Sequence, residues 1–418
     1  MCSADKILAA REQRNNYVLK LAQTSDVITA KANVPGSDKR IKESFLIIRY
    51  FANRLKETFT GNPVILDGAD GMCAVLPVCG EDLKLKTTAI EENCPIGRYA
   101  DLDVYPQGGT HSLSRGHMRK CYLCENAAFV CARQGNHTPQ ELLNALKKGV
   151  REYFSAHLYA VIEQSLMAEL NLEDKFGLVT PTSQGSHGDM NYAIMLKSQS
   201  AIIPHLVQSF WVGFDADSTD GLLEKLRPIG LEAEEAMFKS VGTNTYKGFI
   251  FVAGILLASA GHLLSKGGGE YMQIFATAKR ICKGITRELE GDGSSFGMQA
   301  YRLYGFLGVR GLAEGGFVAV RKAEEIIDKN LSKESLLKTL AFIVGDIEDT
   351  VLLKRSGTLE NYLYFKNAIS CIDVNDETQL KLLNAQCVES GISIGGSADV
   401  LAAAILIKKL KTLWYFDK

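Results

Sequence analysis

The sequence is short of several things, and each shortage excludes a class of protein. It has no charge excess: 47 Lys and Arg stand against 48 Asp and Glu, a net of −1 over 418 residues. No global field therefore draws it to a nucleic-acid polymer or an anionic membrane. It has no run of about 20 apolar residues, the length a spanning helix needs. The longest apolar run, Gly248 to Leu264, contains Gly254, Gly261 and His262 and reads as a buried core helix. The opening residues, Met1-Cys-Ser-Ala-Asp-Lys, have neither the basic start nor the apolar stretch of an export signal. There is no internal repeat and no low-complexity tract, and with 46% hydrophobic and 23% charged residues the bulk of the chain is neither disordered nor fibrous. Ten cysteines without an export signal are expected to be reduced thiols of a cytoplasmic protein, with a metal site open among them.

What is there divides into two textures. At about 100–200 residues per domain, the length fits two or three domains. Residues 1–148 carry a net charge of +4 and the remainder −5. The N-terminal part reads as α+β. Arg40–Thr58 repeats apolar residues at helical spacing (Phe45, Ile48, Phe51, Leu55), and strand-like runs follow at Pro63–Leu66, Cys73–Val78, Leu83–Ile90 and Asp101–Tyr105. Then Thr138-Pro-Gln-Glu141 gives a helix start, with a hydroxyl N-cap, proline at the first position and Glu at the third. Helical patterns run from there to the C-terminus. The expected layout is two domains, 1–148 α+β and 149–418 all-α, with the boundary inside a helical stretch.

Two constellations stand out in the first part. In Gly97-Arg-Tyr-Ala-Asp-Leu-Asp-Val-Tyr105, residues two apart on a strand share a face, so Asp101 and Asp103 converge. Two carboxylates so placed can hold Mg²⁺ against a triphosphate, with Arg98 on phosphate; the bland reading is a solvated strand edge. The second is Cys121-x2-Cys124-x6-Cys131-x5-His137, three thiolates and an imidazole that could make a tetrahedral zinc site. Structural zinc competes there with inert core thiols, and the latter are favoured, because Cys131 can sit on an apolar helix face with Ala127, Ala128 and Val130. Arg115, His117, Arg119 and Lys120 form a basic run just upstream, either a solvated loop or a docking patch for an acidic partner or a phosphate.

On these residues the first part resembles the citrate lyase holo-acyl-carrier-protein synthase family. The resemblance rests on Arg11-Glu-Gln-Arg14, Asp82-Leu-Lys-Leu-Lys86, Cys94-Pro-Ile-Gly-Arg98 leading into Asp101-Leu-Asp-Val, and Arg119-Lys-Cys-Tyr-Leu-Cys-Glu with Val130-Cys-Ala-Arg133 and His137. It implies a nucleotidyltransferase-like fold with Asp101 and Asp103 on metal, transferring a phosphoribosyl-dephospho-CoA unit to the carrier (gamma) subunit of citrate lyase. The Gly-Ser pair that usually precedes Asp-x-Asp in that superfamily is absent.

In the second part, polar segments interrupt apolar helices. Lys175–Met190 is a loop of glycines and hydroxyls ending at Asp189, expected in the first turn of a helix, where backbone N–H groups favour an anion. Arg227-Pro-Ile-Gly230 is expected to precede a helix carrying Glu234. Gly242-Thr-Asn-Thr-Tyr-Lys-Gly248 brings Lys247 to the mouth of the apolar helix, as a phosphate ligand or a snorkelling lysine. Arg302, Arg310 and Glu314 lie among glycines. Asp346 and Asp349, at i and i+3, are expected on one helix face, with Arg355 beyond. Ser393-Ile-Gly-Gly-Ser-Ala-Asp-Val400 puts Asp399 at a helix start, where helix stabilisation is the bland role.

This ordered set resembles the triphosphoribosyl-dephospho-CoA synthase family. The resemblance implies that ATP reacts with 3′-dephospho-CoA, with Mg²⁺, releasing adenine. It implies Asp189 and Asp349 as catalytic carboxylates and Asp346 and Asp349 on metal. Lys247, Arg310, Arg355, Glu234, Glu314 and Asp399 would bind substrate. Departures from the family fall at Phe176 (usually Pro), Gly188 (Lys), Tyr246 (His), Leu312 (Glu) and Ile394 (Pro). The two resemblances describe consecutive steps, so the chain is expected to be a bifunctional transferase that makes the citrate lyase prosthetic group and attaches it. Partners are the carrier protein and nucleotides, with no membrane and no nucleic acid. The alternatives are the matching pathway of malonate decarboxylase, and a non-catalytic assembly module for lyase subunits.

Overall fold

The computed structural model describes residues 4–116 and 118–417. His117 of the basic run, and Met1–Ser3 of the opening read for an export signal, lie outside them. The chain separates into two compact units. The first runs through His157 and takes in Leu264–Tyr271 and the chain from Lys411; the second comprises Leu158–Leu263 and Met272–Leu410.

The first unit is built on a four-stranded antiparallel sheet. Its elements are α1 (Ala4–Ala22), β1 (Asp26–Ala32), α2 (Lys42–Thr58), β2 (Val64–Gly68), β3 (Gly71–Val78), α3 (Leu83–Glu92), β4 (Ala100–Tyr105) and α4 (Ala128–Gln134). The strand order is β2-β3-β1-β4. The sheet separates two apolar layers because its strands alternate. Val27, Cys73 and Val75 pack against Val18 and Ala22 of α1. The opposite set, including Ile28, Ala30, Ala74, Leu76, Leu102 and Val104, is fully buried, as is α2's apolar face of Ile47, Ile48, Phe51 and Leu55. In α2, Arg49 donates to the Gly267 carbonyl (2.8 Å) and to both oxygens of Asp417, which ties the two late segments into this unit.

One strand expectation is corrected. Leu83–Ile90 alternates Leu-Lys-Leu-Lys, yet it is helix α3. The buried residues are Leu83, Thr87 and Glu91, a spacing of four, while Leu85 is 70% exposed. Only one side of the segment meets the body of the unit, and a helix presents its apolar residues there while pairing its own backbone. Strand β1 and helix α1 were not anticipated. The α+β character of this part and the helical character of the rest stand.

The chain enters the second unit within α5 (Pro139–Leu170), whose start is the expected capping box: Thr138 N–H donates to Glu141 Oε2 and Glu141 N–H to Thr138 Oγ1. Then come α6 (Tyr192–Asp215), α7 (Leu222–Val241), α8 (Lys247–Ser265), α9 (Gln273–Ile281), α10 (Phe296–Tyr304), α11 (Gly308–Glu314), α12 (Val318–Ile326), α13 (Lys333–Asp346), α14 (Thr350–Ser356), α15 (Leu359–Ser370), α16 (Glu377–Glu389) and α17 (Gly395–Leu413). Helix α8 is the apolar run. Among the described residues it alone is long and apolar enough to cross a membrane by length and composition, and 83% of it is buried inside the protein.

Three local expectations change here. Arg227-Pro-Ile-Gly230 lies within α7 rather than before it. Helix α6 starts at Tyr192 with Asn191 as its cap, so Asp189 belongs to the loop. Asp346 and Asp349 do not share a helix face: α13 ends at Asp346 and Asp349 caps α14.

Candidate active sites

In the first unit the carboxylates of interest stand on β4. Its burial alternates, with Ala100, Leu102 and Val104 inward and Asp101 and Asp103 on the other face. The register sets Lys31 of β1 opposite Asp101 and Thr29 opposite Asp103. Arg119 donates to Asp101 Oδ1 (2.7 Å) and to Glu91 (3.1 Å); Arg115 pairs with Glu91 at 2.6 Å. Lys84 Nζ lies 3.9 Å from Asp103 Oδ1. Burial, then the charge of Asp101, pushes the Asp103 carboxyl above the usual carboxylate range, against the pull of Lys84 and Arg119. Glu91 is likewise raised by burial, although it accepts the Leu102 N–H and faces two arginines. Arg98 is exposed and donates to the Cys121 carbonyl (2.7 Å). Behind the sheet edge, Asp70 is buried between Arg14 and Lys31, each at 3.0 Å, which explains the N-terminal Arg14 as a structural anchor.

The four residues of the cysteine motif meet. One ligand atom from each of Cys121, Cys124, Cys131 and His137 lies within 4.8 Å of the others.

In the second unit two cavities share a wall made of Lys247 and Gly248. The first, about 170 Å³, is lined by Glu169, Lys175, His187, Asn244, Tyr246, Ser393 and Asp399 among others. The second, about 350 Å³, is lined by His205, Arg227, Glu234, Glu288, Arg310 and apolar residues of α7 and α8. Lys247 Nζ bonds Glu234 Oε2 at 2.7 Å and is 60% exposed, so it is available to a ligand. Glu288 pairs with both Arg227 and Arg310, which holds the two guanidinium groups together with their charge only partly offset.

The loop 175–191 closes the first cavity. Lys175 is fully buried, donating to Glu169 Oε1 (2.7 Å) and to the carbonyls of Glu169 and Leu170; its pKa is lowered by burial and supported by Glu169. Phe176 has a φ of 56°, which a proline ring cannot reach. His187 Nε2 meets Ser393 Oγ at 3.1 Å, and its Nδ1 accepts from Arg355. Burial and the Arg355 charge lower the imidazole pKa. Asp189 is exposed and held below the usual carboxylate range by the Thr243 hydroxyl, 2.7 Å away. Gly188 has open space around its Cα, whereas Tyr246 is buried with its hydroxyl accepting from Gln199.

Several expected ligands turn out to hold the framework. Asp349 Oδ1 accepts the N–H groups of Val351 and Leu352, and its Oδ2 accepts the N–H (2.7 Å) and hydroxyl (2.8 Å) of Ser397. Asp346 pairs with Lys322 at 2.9 Å. These two acids do not fit the paired metal site read from their spacing, because every Asp349 oxygen is already used by protein donors. Glu314 accepts the N–H groups of Gly284 and Thr286 and the Thr286 hydroxyl. Asp399, in the early part of α17, lies against the first turn of α8 and accepts the Phe249 N–H there. Its carboxyl is raised well above the usual range by burial and by Asp349 and Glu169. It also fits only because residue 248 is glycine: a Cβ there would stand 2.0 Å from Asp399 Oδ2.

The structure therefore places Lys247 and Asp399 on the first cavity, with Arg355 bonded to its lining residue His187 and Asp189 beside its lining residue Met190, and Glu234, Lys247 and Arg310 on the second. It places Glu314 and Asp346 apart from them. Glu169, His187, Arg227 and Glu288 were missed. His187 was legible in the Gly-Ser-His loop; Glu169 was not, since a glutamate in the last turn of an amphipathic helix reads as surface.

Residues 155–417 match the family model described as ATP:dephospho-CoA triphosphoribosyl transferase. Residues 2–153 match the model described as apo-citrate lyase phosphoribosyl-dephospho-CoA transferase. Among similar proteins, one from Haemophilus influenzae named Protein CitXG is 32% identical over 79% of this chain and 77% of its own length. One of the same name from Leuconostoc mesenteroides subsp. cremoris is 27% identical over 97% and 96%. A 2-(5″-triphosphoribosyl)-3′-dephosphocoenzyme-A synthase from Haemophilus ducreyi is 30% identical over 69% of this chain and 99% of that protein.

Proposed function

The chain belongs to the ATP:dephospho-CoA triphosphoribosyl transferase family, preceded by an apo-citrate lyase phosphoribosyl-dephospho-CoA transferase region, and we propose that it makes the citrate lyase prosthetic group and attaches it. The observation that carries this reading is the order of the two matches on one chain, each containing its own cluster of acids and cations. It is a bifunctional transferase. We assign the attachment step to residues 1–148, with a nucleotidyltransferase-like fold, and the synthesis step to 149–418, both in the cytoplasm where ATP and dephospho-CoA are supplied.

In the synthesis step, the ribose–adenine bond of ATP breaks and the 2′-hydroxyl oxygen of 3′-dephospho-CoA bonds to the ribose carbon. The hydroxyl proton passes to a carboxylate and from there to solvent, and adenine takes up one proton from solvent as it leaves, so that the protons balance. Asp189 suits the base role: it is solvent-reached, ionised and oriented by Thr243. Its charge also favours the oxocarbenium character that develops as the bond breaks. Lys247 stands where the two cavities meet and suits phosphates of both substrates. Arg310 and Arg227 supply the wall of the larger cavity and Arg355, set by His187, the rim of the smaller one. Asp399, Glu234, Glu314 and Asp349 act by holding α8, Lys247, the 284–286 turn and α14.

In the attachment step, a serine hydroxyl of the citrate lyase acyl carrier protein attacks the α-phosphate of the triphosphoribosyl group and pyrophosphate leaves. Asp101 and Asp103 fit a divalent cation: they share one face, and the mutual repulsion and burial that raise Asp103 are what a cation relieves. Mg²⁺ bound there would neutralise the leaving pyrophosphate. Arg119 and Lys84 lie beside the pair to orient the phosphates, and Arg98, bonded to the Cys121 carbonyl, adds a further exposed cation on the strap that carries Arg119.

The test is adenine release from ATP and Mg²⁺, with and without 3′-dephospho-CoA. Adenine that appears only with dephospho-CoA, together with the triphosphoribosyl adduct, supports the reading. Adenine without an adduct points to a hydrolase and overturns it.

A further inference from the structure

We propose that Cys121, Cys124, Cys131 and His137 bind one structural zinc ion that fixes the strap carrying Arg119 against the β4 carboxylates. The favoured expectation from sequence was inert core thiols. Inert thiols have no reason to converge, since each packs wherever its small apolar side chain fits. Here three sulfurs and one imidazole nitrogen, from four positions spread over 17 residues, lie within 4.8 Å of one another. Cys124 Sγ is 3.3 Å from Cys131 Sγ and 3.4 Å from His137 Nε2. Zinc–sulfur bonds of about 2.3 Å in tetrahedral geometry place ligand sulfurs about 3.8 Å apart. To reach a complete Cys₃His site the Cys124–Cys131 pair would widen by about 0.5 Å and the widest separation, at most 4.8 Å, would close by about 1 Å or less. The donor set is that of a closed structural site, with no position left for water.

The surroundings suit such a role. The segment 119–131 has little secondary structure of its own: one bridge between Lys120 and Ala127, and the seven-residue α4 that carries Cys131. Cys121 N–H donates to the Asn126 carbonyl and Ala128 N–H to the Arg119 carbonyl, forming a small knuckle around the ligands. A short segment of this kind buries too little apolar surface to order itself, and a metal supplies the missing free energy. What it orders is the attachment site. Arg119 reaches Asp101, Glu91 and the Ala100 carbonyl; Arg98 bonds the Cys121 carbonyl; Tyr122 donates to the Asn33 carbonyl.

The experiment measures metal, not turnover. The full chain is purified reducing and without added metal, then assayed for bound zinc by mass spectrometry and by colorimetric release with a mercurial. The expected result is one zinc per chain, released in step with the modification of three thiols. Cys124→Ser and Cys131→Ser lose it; Cys79→Ser, at an exposed cysteine elsewhere, keeps it. Should the serine variants fail to fold, cobalt substitution of the wild-type chain decides. Thiolate-to-cobalt charge transfer with tetrahedral d–d bands supports the site, and octahedral bands overturn it. A folded, zinc-free chain, or a Cys124–Cys131 disulfide in chain purified under reduction, overturns it too. None of these readouts depends on either transferase reaction.

Discussion

Lys175 is buried against Glu169 with its Nζ 2.7 Å from the carboxylate, 2.6 Å from the same residue's carbonyl and 3.3 Å from that of Leu170. One ammonium thus ends helix α5, neutralises a buried acid and supports a wall of the smaller cavity. Removing one partner leaves an uncompensated charge inside the protein. Lys175→Met is expected to cost about 3–5 kcal/mol in urea unfolding, and Glu169→Leu added to it to restore a good part of that loss. Equal and additive losses would show that the pair is not coupled.

Asp349 and Asp346 separate framework from chemistry. Asp349 caps α14 and accepts two further bonds from Ser397, so Asp349→Ala loses a cap worth about 1 kcal/mol and strands buried donors at about 1–3 kcal/mol more. The expected outcome is a large fall in the melting temperature. Asp346→Asn, whose partner is a half-exposed lysine, is expected to shift stability by no more than about 0.5 kcal/mol. Unchanged stability in Asp349→Ala would return that residue to a direct role in binding.

His187 makes the second unit sensitive to mild acid. Burial and Arg355 lower its folded pKa, so the unfolded chain binds a proton first as pH falls below the ordinary value of about 6.5. Its contribution to stability is present above that pH and is lost as pH falls toward the lower folded value. Denaturation of the wild type and of His187→Gln at pH 7.5 and pH 5 should show a smaller acid loss in the variant. The same loss in both would remove His187 from the account.

Asp101→Asn and Asp103→Asn are expected to lower transfer to the carrier protein by about 100-fold or more while leaving adenine release unchanged. Lys247→Met is expected to do the reverse, cutting kcat/KM for adenine release while prosthetic-group transfer from premade donor persists. Loss of both activities in any one variant would contradict the division of labour between the two parts of the chain.

Asp103 carries a pH signature of its own. Its raised carboxyl must be ionised to face a cation, so at limiting Mg²⁺ carrier transfer should decline on the acid side at a pH above the ordinary carboxylate range, and saturating Mg²⁺ should move that limb to lower pH. Adenine release, measured on the same samples, should keep a different acid limb. Coincident limbs would mean that Asp103 does not set the first one.

The amino-acid sequence by itself determined the class of each half, the Thr138 capping box, the burial of α8, the same-face placement of Asp101 and Asp103, and, through ordered motifs, both reactions. These are local or periodic properties: a cap lies within four residues, a strand repeats every two, and a motif keeps its order whatever the fold. The tertiary structure alone decided which charged residues face a cavity or solvent and which face the protein. Spacing made Asp346 and Asp349 look like a metal pair, but a helix ends between them, and Asp349 is taken up by Ser397, 48 residues away. The Leu-Lys alternation of 83–86 is compatible with a strand until only one side proves to be covered. Glu169, Arg227 and Glu288 gain their meaning from Lys175 and Arg310, and Cys121, Cys124, Cys131 and His137 from one another. The physical reason is the same in each case. A charge is functional or structural according to the partners and solvent around it, and those are set by contacts between residues far apart in the chain.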